Sequence, residues 1–356
     1  MLKKDNFFKN YFINLSKYNK NLKKTKKVFS SFIVDLKNNQ IPLLKSYEKN
    51  YEFDFSATTV KKFSKYRNIV VIGMGGSILG TKSIYSFLKK RIKKEVFFFD
   101  NLDLNLSLKY KKIKNLKNSC FIIVSKSGDT LETITNLGTI FSENLLKNKL
   151  IIITEITDNA LMAIANKYNA EIIEHKEFIG GRYSVLSETG MFPAALMGLN
   201  LMKFKNLKRL INNKNFISSL IQNVASIHTL NSKKINNSVI LNYDSSLNDL
   251  GYWYQQLVAE SLGKQGKGIN PILSFGPKYH HSLLQLYLDG PKDKFFTFFN
   301  SSKRENKLKV ARGIIPNNMG FLINKNLEFI INAQCNATKN IFKLKKIPFR
   351  QITFNK

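Results

Sequence analysis

The sequence predicts an α/β protein made of two tandem doubly wound domains, each with a mainly parallel central sheet flanked by helices. Three observations predict it. Short, continuously apolar runs such as 69–73 and 121–125 alternate with amphipathic stretches, the pattern of buried parallel strands joined by helices. Two of these runs end in turns rich in Gly, Ser and Thr, placed where an open α/β sheet binds ligands, outside the carboxyl ends of its strands. The alternation then starts again at residue 238, which points to duplication, although no residue-level repeat is visible.

The elements follow in order. Residues 1–50 are rich in Lys and Asn, with helical spacing at Phe7, Phe8, Tyr11, Phe12 and Leu15, and read as a helical lead-in. The first domain, 51–200, opens with the apolar run 69–73, which ends in Gly and reads as a buried strand. Further strands are expected at 96–100, 121–125, 150–154 and 171–173, and helices at 77–90, 130–146 and 158–168. Residues 188–198 and 201–230 read as linking helices. The second domain, 201–356, repeats the scheme with strands at 238–243, 272–275, 295–299 and 349–354. Its helices are expected at 247–262, 281–288 and 325–346.

Composition narrows the function. Hydrophobic residues make up 43% of the chain, so it folds around a core and is no disordered tail. The net charge of +33 invites a nucleic-acid reading, but the basic residues are mostly Lys and are scattered. Lys, Asn, Ile and Phe dominate, all with A/T-rich codons, and codon bias accounts for the charge; no nucleic-acid partner is expected. A diffuse positive field still gathers anionic substrates. Cys120 and Cys335 are too few and too far apart for a disulfide framework, which suits a reducing cytoplasm. No signal-peptide core and no apolar run near the ~20 residues of a membrane span is present, so a soluble cytoplasmic protein is expected.

Four motifs carry chemistry, each with a plainer reading beside it. Gly73-Met-Gly-Gly-Ser-Ile-Leu-Gly80 fits neither the dinucleotide fingerprint nor a P-loop. It is a tight turn into a helix that offers N–H groups to an anion, or a structural turn with Ser77 as the helix cap. Ser125-Lys-Ser-Gly-Asp-Thr130 puts three hydroxyls and a Lys between a strand and a helix, which matches a phosphate monoester. Its plainer reading is a helix cap by Asp129 or Thr130. Gly180-Gly-Arg182 offers a permanent cation on a turn, to hold a developing negative charge or simply to face solvent. Gln256 and Glu260 share one face of an apolar, aromatic helix. Glu260 there serves as a base or pairs with Lys264 at the helix end. His280 and His281, in Gly276-Pro-Lys-Tyr-His-His-Ser-Leu-Leu-Gln285, cap a helix or act in proton transfer. Without Cys or carboxylate partners at ligand spacing they do not form a metal site.

Taken together and in this order, the motifs resemble the phosphoglucose isomerase family, built from two sugar-isomerase (SIS) domains. The likeness runs from about residue 69 to residue 290 and weakens beyond. It implies two tandem SIS-type domains, and position by position it implies roles. Ser125, Lys126, Ser127 and Thr130 match the family's phosphate loop, S-K-[ST]-x-x-T. Gly76 and Ser77 match the Gly-Gly-Ser loop close to the sugar. Gly181 and Arg182 match the Gly-Gly-Arg motif, with Arg182 beside the enediolate. Gln256 and Glu260 match Q-x-x-x-E-S-x-G-K, with Glu260 the catalytic base. His281 matches a His that helps open the sugar ring and reaches in from a partner subunit, so a homodimer is implied.

The implied reaction interconverts glucose 6-phosphate and fructose 6-phosphate through a cis-enediol(ate), in glycolysis and gluconeogenesis, with no metal or cofactor. Two positions depart from the family. His280 stands where Gln is usual. Nothing after Arg304 resembles the family's Q-x-G-V-E-x-x-K segment and its catalytic Lys, so the chain reads as short at its C-terminus; that Lys chiefly assists ring opening. The alternatives are a sugar-phosphate-binding SIS protein without turnover, which does not need Glu260 and His281, and an isomerase acting also on mannose 6-phosphate.

Overall fold

The computed structural model describes residues 14–113, 116–140, 149–302 and 308–355. Phe7, Phe8, Tyr11 and Phe12 of the expected lead-in therefore lie outside the described residues, as do positions 141–146 of the expected 130–146 helix. A helix at Leu15–Lys37 opens the described chain. Two compact units follow. The first is Ile33–Asn213 with Tyr252–Leu257; the second is Lys214–Gly251 and Val258–Lys356 with the stretch up to Phe32.

The first unit is built on β1 (Asn68–Gly73), β2 (Glu95–Phe99), β3 (Ser119–Val124), β4 (Leu150–Thr154) and β5 (Glu171–Glu174). They form one sheet in the order β2-β1-β3-β4-β5, every neighbour parallel. The strands are apolar at successive positions because both faces are covered. Side chains alternate across a strand, so Ile69, Val71, Ile122, Val124, Ile151 and Ile153 enter one core. Val70, Ile72, Phe121, Ile123, Leu150 and Ile152 enter the other. Cys120 is buried in the first of these, and burial pushes its thiol up to about 12, which keeps it inert.

The helices Leu79–Leu88, Leu131–Ile140 and Ala160–Tyr168 connect successive strands. Asn159 and Asp129 both cap the last of them, accepting from the Met162 and Ala160 N–H groups at 2.9 and 2.8 Å. Asp129 thus closes a helix other than the one that follows it in sequence. The stretch before the sheet is tied down by buried charge. Glu188, fully buried at the start of helix Glu188–Leu196, lies 2.9 Å from the Tyr51 hydroxyl and accepts the Asp54 N–H at 3.2 Å. Burial pushes its carboxyl above the usual range. Lys205, also buried, donates to the Ser46 and Leu186 carbonyls beneath the Tyr51 and Phe53 rings, and burial brings its ammonium down to about 8.

The second unit is built on β6 (Asn237–Asn242), β7 (Asn270–Phe275), β8 (Lys294–Ser302) and β9 (Phe349–Asn355), in the order β7-β6-β8-β9 and again parallel. Its core is aromatic. Phe342, on helix Leu327–Leu344, meets Phe296 and Phe298 edge to face at centroid distances of 4.7 and 5.6 Å.

The fold is α/β with two parallel sheets flanked by helices, as the periodicity predicts. Three expected helices differ in detail. The 77–90 helix begins at Leu79, preceded by a three-residue 3-10 turn, Gly75–Ser77, so Ser77 is a buried turn residue; Ile78 occupies the cap position. The 201–230 stretch is divided into a 3-10 turn, Leu201–Lys203, and the helices Leu207–Ile211 and Lys214–Asn231; in the first gap Lys205 turns inward to its two carbonyls. The 281–288 helix starts at Leu284, after a 3-10 turn, Lys278–His281. Short helices at Ala57–Ser64 and Leu106–Lys111 add to the elements that the periodicity predicts. No helix among the described residues is long and apolar enough to cross a membrane.

Candidate active site

β1 and β3 are neighbours in register to their ends, with Gly73 opposite Val124. The turns that follow them therefore leave the sheet side by side. After β1 the chain makes the Gly75–Ser77 turn. A Cβ at Gly76 would lie 2.3 Å from the Gly181 carbonyl carbon and 2.5 Å from the Arg182 nitrogen. Two backbones thus meet where only glycine leaves room. Ser184 staples them, its hydroxyl donating to the Gly181 carbonyl at 2.7 Å and lying 3.4 Å from the Gly76 carbonyl. A Cβ at Gly75 would meet the Gln256 amide nitrogen at 2.8 Å, so that side chain lies directly on the turn.

Arg182 sits in the 3-10 turn Gly181–Leu186, half-buried, with its guanidinium 4.6 Å from the centre of the Tyr183 ring. Its carbonyl accepts the Trp253 indole N–H at 3.2 Å. Trp253 lies one turn before Gln256 on helix Asn248–Leu262 and packs with Ile84, Val185 and Met191 of the first unit. The Gly-Gly-Arg turn and the Gln256 stretch are therefore held by the same aromatic anchor.

After β3 the loop Ser125–Thr130 leads into helix Leu131–Ile140. Ser125 is buried; its hydroxyl accepts the Gly128 N–H at 3.1 Å and shares a proton with the Thr130 hydroxyl at 2.7 Å. Ser127 accepts the Asp129 N–H at 3.4 Å and is exposed. The loop thus brings the Ser125 and Thr130 hydroxyls together just before a helix N-terminus, a geometry suited to an oxyanion. Lys126 leans outward, its ammonium donating to the Glu177 carbonyl at 2.7 Å and lying 3.4 Å from the Glu155 carboxylate. His175, just after β5, is buried, and that burial together with the Lys126 charge holds its imidazole below the usual range, so it stays neutral.

Gly76, Ser77, the 125–130 loop, Gly181, Arg182 and Gln256 all belong to the first unit. Glu260 is exposed in the last turn of the helix that carries Gln256, four residues on, and belongs with the second unit. His280 and His281 occupy the turn after β7 in that unit. His281 is exposed, whereas His280 is half-buried against Tyr243. No group of three His, Cys, Asp or Glu side chains among the described residues is placed to hold a metal ion.

Sequence reasoning missed Ser184, Trp253 and Tyr243. Each acts at least in part on a residue distant in the chain: Ser184 on Gly76, Trp253 on Arg182 and Tyr243 on His280. The first unit places hydroxyls at a helix start, a cation on a turn and an amide against a glycine turn, groups that can hold an anion.

Comparison with known proteins identifies the family. The phosphoglucose isomerase family model matches residues 38–275. The glucose-6-phosphate isomerase of Methanocaldococcus jannaschii is 38% identical over 260 residues, which is 70% of this chain and 64% of that protein. The glucose-6-phosphate isomerase of Campylobacter jejuni is 32% identical over 288 residues, 76% of this chain and 70% of that one. The matched region thus spans about two thirds of these relatives' own length. Among solved structures, a hypothetical protein from Thermus thermophilus shares the fold over 99% of this chain and 88% of its own, with a TM-score of 0.80 at 22% identity. A glucose-6-phosphate isomerase from Chlamydia trachomatis does so over 84% of this chain and 63% of its own, with a TM-score of 0.61 at 19% identity. By sequence motif, family match and relatives alike, the chain belongs to the phosphoglucose isomerase family.

Proposed function

We propose that this chain interconverts glucose 6-phosphate and fructose 6-phosphate. The observation that carries the reading is the meeting of chain segments at the Gly75–Ser77 turn: Gly181 and Arg182 against Gly76, and the Gln256 amide against Gly75. One helical turn beyond Gln256 stands Glu260, a carboxylate on the same helix face. The backbone that carries Arg182 thus adjoins Gly76, where only a glycine has room, and the Gln256 side chain lies against Gly75 of the same turn.

In the proposed mechanism Ser125, Lys126, Ser127 and Thr130 bind the phosphate, with Lys126 released from Glu155 and Glu177. Gly76, Ser77, Gly181 and Gln256 line the sugar. His281 passes a proton to the ring oxygen as the bond from carbon 1 to that oxygen breaks, and the carbon 1 hydroxyl gives its proton to water, which leaves the open-chain aldehyde. Glu260 removes the proton from carbon 2; the electron pair forms the carbon 1–carbon 2 double bond of the enediolate, and Arg182 offsets the charge on its oxygens. Glu260 returns the proton to carbon 1 as the hydroxyl proton of oxygen 2 passes to oxygen 1, which leaves the carbonyl at carbon 2, and ring closure gives the ketose. The substrate's own carbonyl acidifies the transferred proton, so the reaction asks for no cofactor. Acid–base help of this kind contributes roughly 10² to 10⁴-fold. The enzyme works as a homodimer in the cytoplasm, with His281 supplied across the interface. Cys120 and Cys335 are both buried as thiols, which supports a reducing compartment.

The test is conversion of fructose 6-phosphate to glucose 6-phosphate in deuterated water, with Glu260→Gln alongside. Turnover with deuterium entering the product, and a loss of about 100-fold or more in the variant, is the expected result. Tight binding of the sugar phosphate without turnover would replace the isomerase with a phosphosugar-binding protein.

A further inference from the structure

Tyr243 follows β6 directly and is buried in the second unit, its ring stacked on Phe298 at a centroid distance of 6.0 Å and 12° between planes. It touches both ends of the turn that carries the two histidines. At one end its ring fills the space beside Gly276, where a Cβ would lie 2.7 Å from the ring carbons. At the other its hydroxyl lies 2.6 Å from Nε2 of His280 and 3.0 Å from the Thr338 hydroxyl.

The direction of these hydrogen bonds follows from their far end. Thr338 donates its one hydroxyl proton to the Gln334 carbonyl at 2.9 Å, and a carbonyl only accepts. The Thr338 oxygen is then an acceptor, and Tyr243 supplies the proton. With that proton committed, the contact to His280 is completed by an Nε2–H donating to the phenol oxygen. The same N–H lies 3.3 Å from Thr338. The chain runs one way, from His280 through Tyr243 and Thr338 to the backbone of helix Leu327–Leu344.

We propose that Tyr243, acting through His280, is the positioning residue for His281: the one-way chain holds the His280 imidazole as its Nε2–H tautomer and thereby fixes the Lys278–His281 turn that presents His281 to the sugar. His280 also donates its backbone N–H to the Pro277 carbonyl at 2.9 Å, so ring and backbone are pinned together. That backbone bond closes the 3-10 turn. Burial, and the neighbouring His281, hold the His280 imidazole below the usual range, which keeps it neutral and the chain's polarity intact.

The inference rests on the isomerase reading of His281, so wild-type turnover is measured first; its absence defeats that reading and, with it, the catalytic part of this one. The chain itself is read separately, by nitrogen-15 NMR of histidine-labelled protein, in which only 4 imidazoles contribute. The expected spectrum shows His280 as a single Nε2–H tautomer. In Tyr243→Phe that tautomer becomes a mixture, and kcat falls roughly 10- to 100-fold, the cost of a misplaced catalytic group, with KM within about twofold. Thr338→Val, which leaves the aromatic packing whole, shifts the tautomer in the same direction. His280→Gln, whose amide N–H can still donate to Tyr243, retains most of the wild-type kcat, and His280→Leu does not. An Nδ1–H tautomer in the wild type, or a Tyr243→Phe variant with unchanged tautomer and kcat, would overturn the proposal.

Discussion

The two sheets share a strand order and place opposite chemistry at the same point. In each, the first strand is internal, flanked by the second and third: β2-β1-β3 in one, β7-β6-β8 in the other. The turn after β1 is bare glycine backbone lying against Gly181 and Gln256. The turn after β6 carries Asp244, whose carboxylate accepts the Ser246 N–H at 3.0 Å and the Ser246 hydroxyl at 2.8 Å and is bonded by the Ser301 hydroxyl. The strand-order reversal creates a place for an anion in both sheets. The second unit fills it with its own side chain, and on the proposed function the first leaves it to the substrate. Topology sets where a ligand can bind, and on the proposed function the residue in the turn decides whether one does.

Substitutions can break this contrast. The largest effect is expected from Gly76→Ala, which drives a methyl group into the Gly181–Arg182 backbone. Overpacking of that kind costs about 3 kcal/mol, and both the melting temperature and the turnover of fructose 6-phosphate should fall sharply. A variant with wild-type turnover would mean that the close approach does not shape the site.

Ser125→Ala and Ser301→Ala form a matched pair. The first removes the hydroxyl between Gly128 and Thr130, and phosphosugar affinity measured by calorimetry should drop roughly 10- to 100-fold, the worth of a hydrogen bond to a charged group. The second removes a bond to Asp244 and should leave affinity unchanged while lowering stability to urea by about 1 kcal/mol. Equal effects on binding would erase the distinction between the two loops.

A smaller effect concerns charge after β2. Asp100 pairs with Lys82 at 2.6 Å and with Lys109 at 3.5 Å. Burial alone would raise its carboxyl, but the two ammonium groups hold it below the ordinary value. A depressed folded value means that the unfolded chain binds the proton first. The pair's contribution is therefore present above the ordinary Asp value of 3.8 and lost as pH falls through the folded value. Urea unfolding of Lys82→Met across that acid range should show a flatter pH dependence than the wild type; identical curves would remove the pair from the account.

Much of this was legible in the chain. Runs such as Ile69–Val70–Val71–Ile72 are apolar at every position because both faces of their sheet are covered, and their shortness and β-branched residues mark them as strands. The Ser125–Thr130 hydroxyls are adjacent in sequence, so a loop that groups them needs no long-range information. Lys126 reads as a phosphate ligand from its place in the motif, yet its ammonium rests on Glu177 and Glu155, partners that the motif does not contain. The inward turn of Lys205 within 201–230 is hidden for the same reason, since the carbonyls it reaches belong to Ser46 and Leu186.

The sequence by itself determined the class of fold, the places where strands yield to Gly-, Ser- and Thr-rich turns, and the family, because period, composition and short motifs are properties of neighbouring residues. Only the tertiary structure decided that Ser246 and Ser301 hold Asp244 in the turn after β6, that Gly76 lies on Gly181, and that Tyr243 and Thr338 reach His280. Those are contacts between residues far apart in the chain, and a hydrogen bond or a steric limit exists only once folding has brought its two partners together.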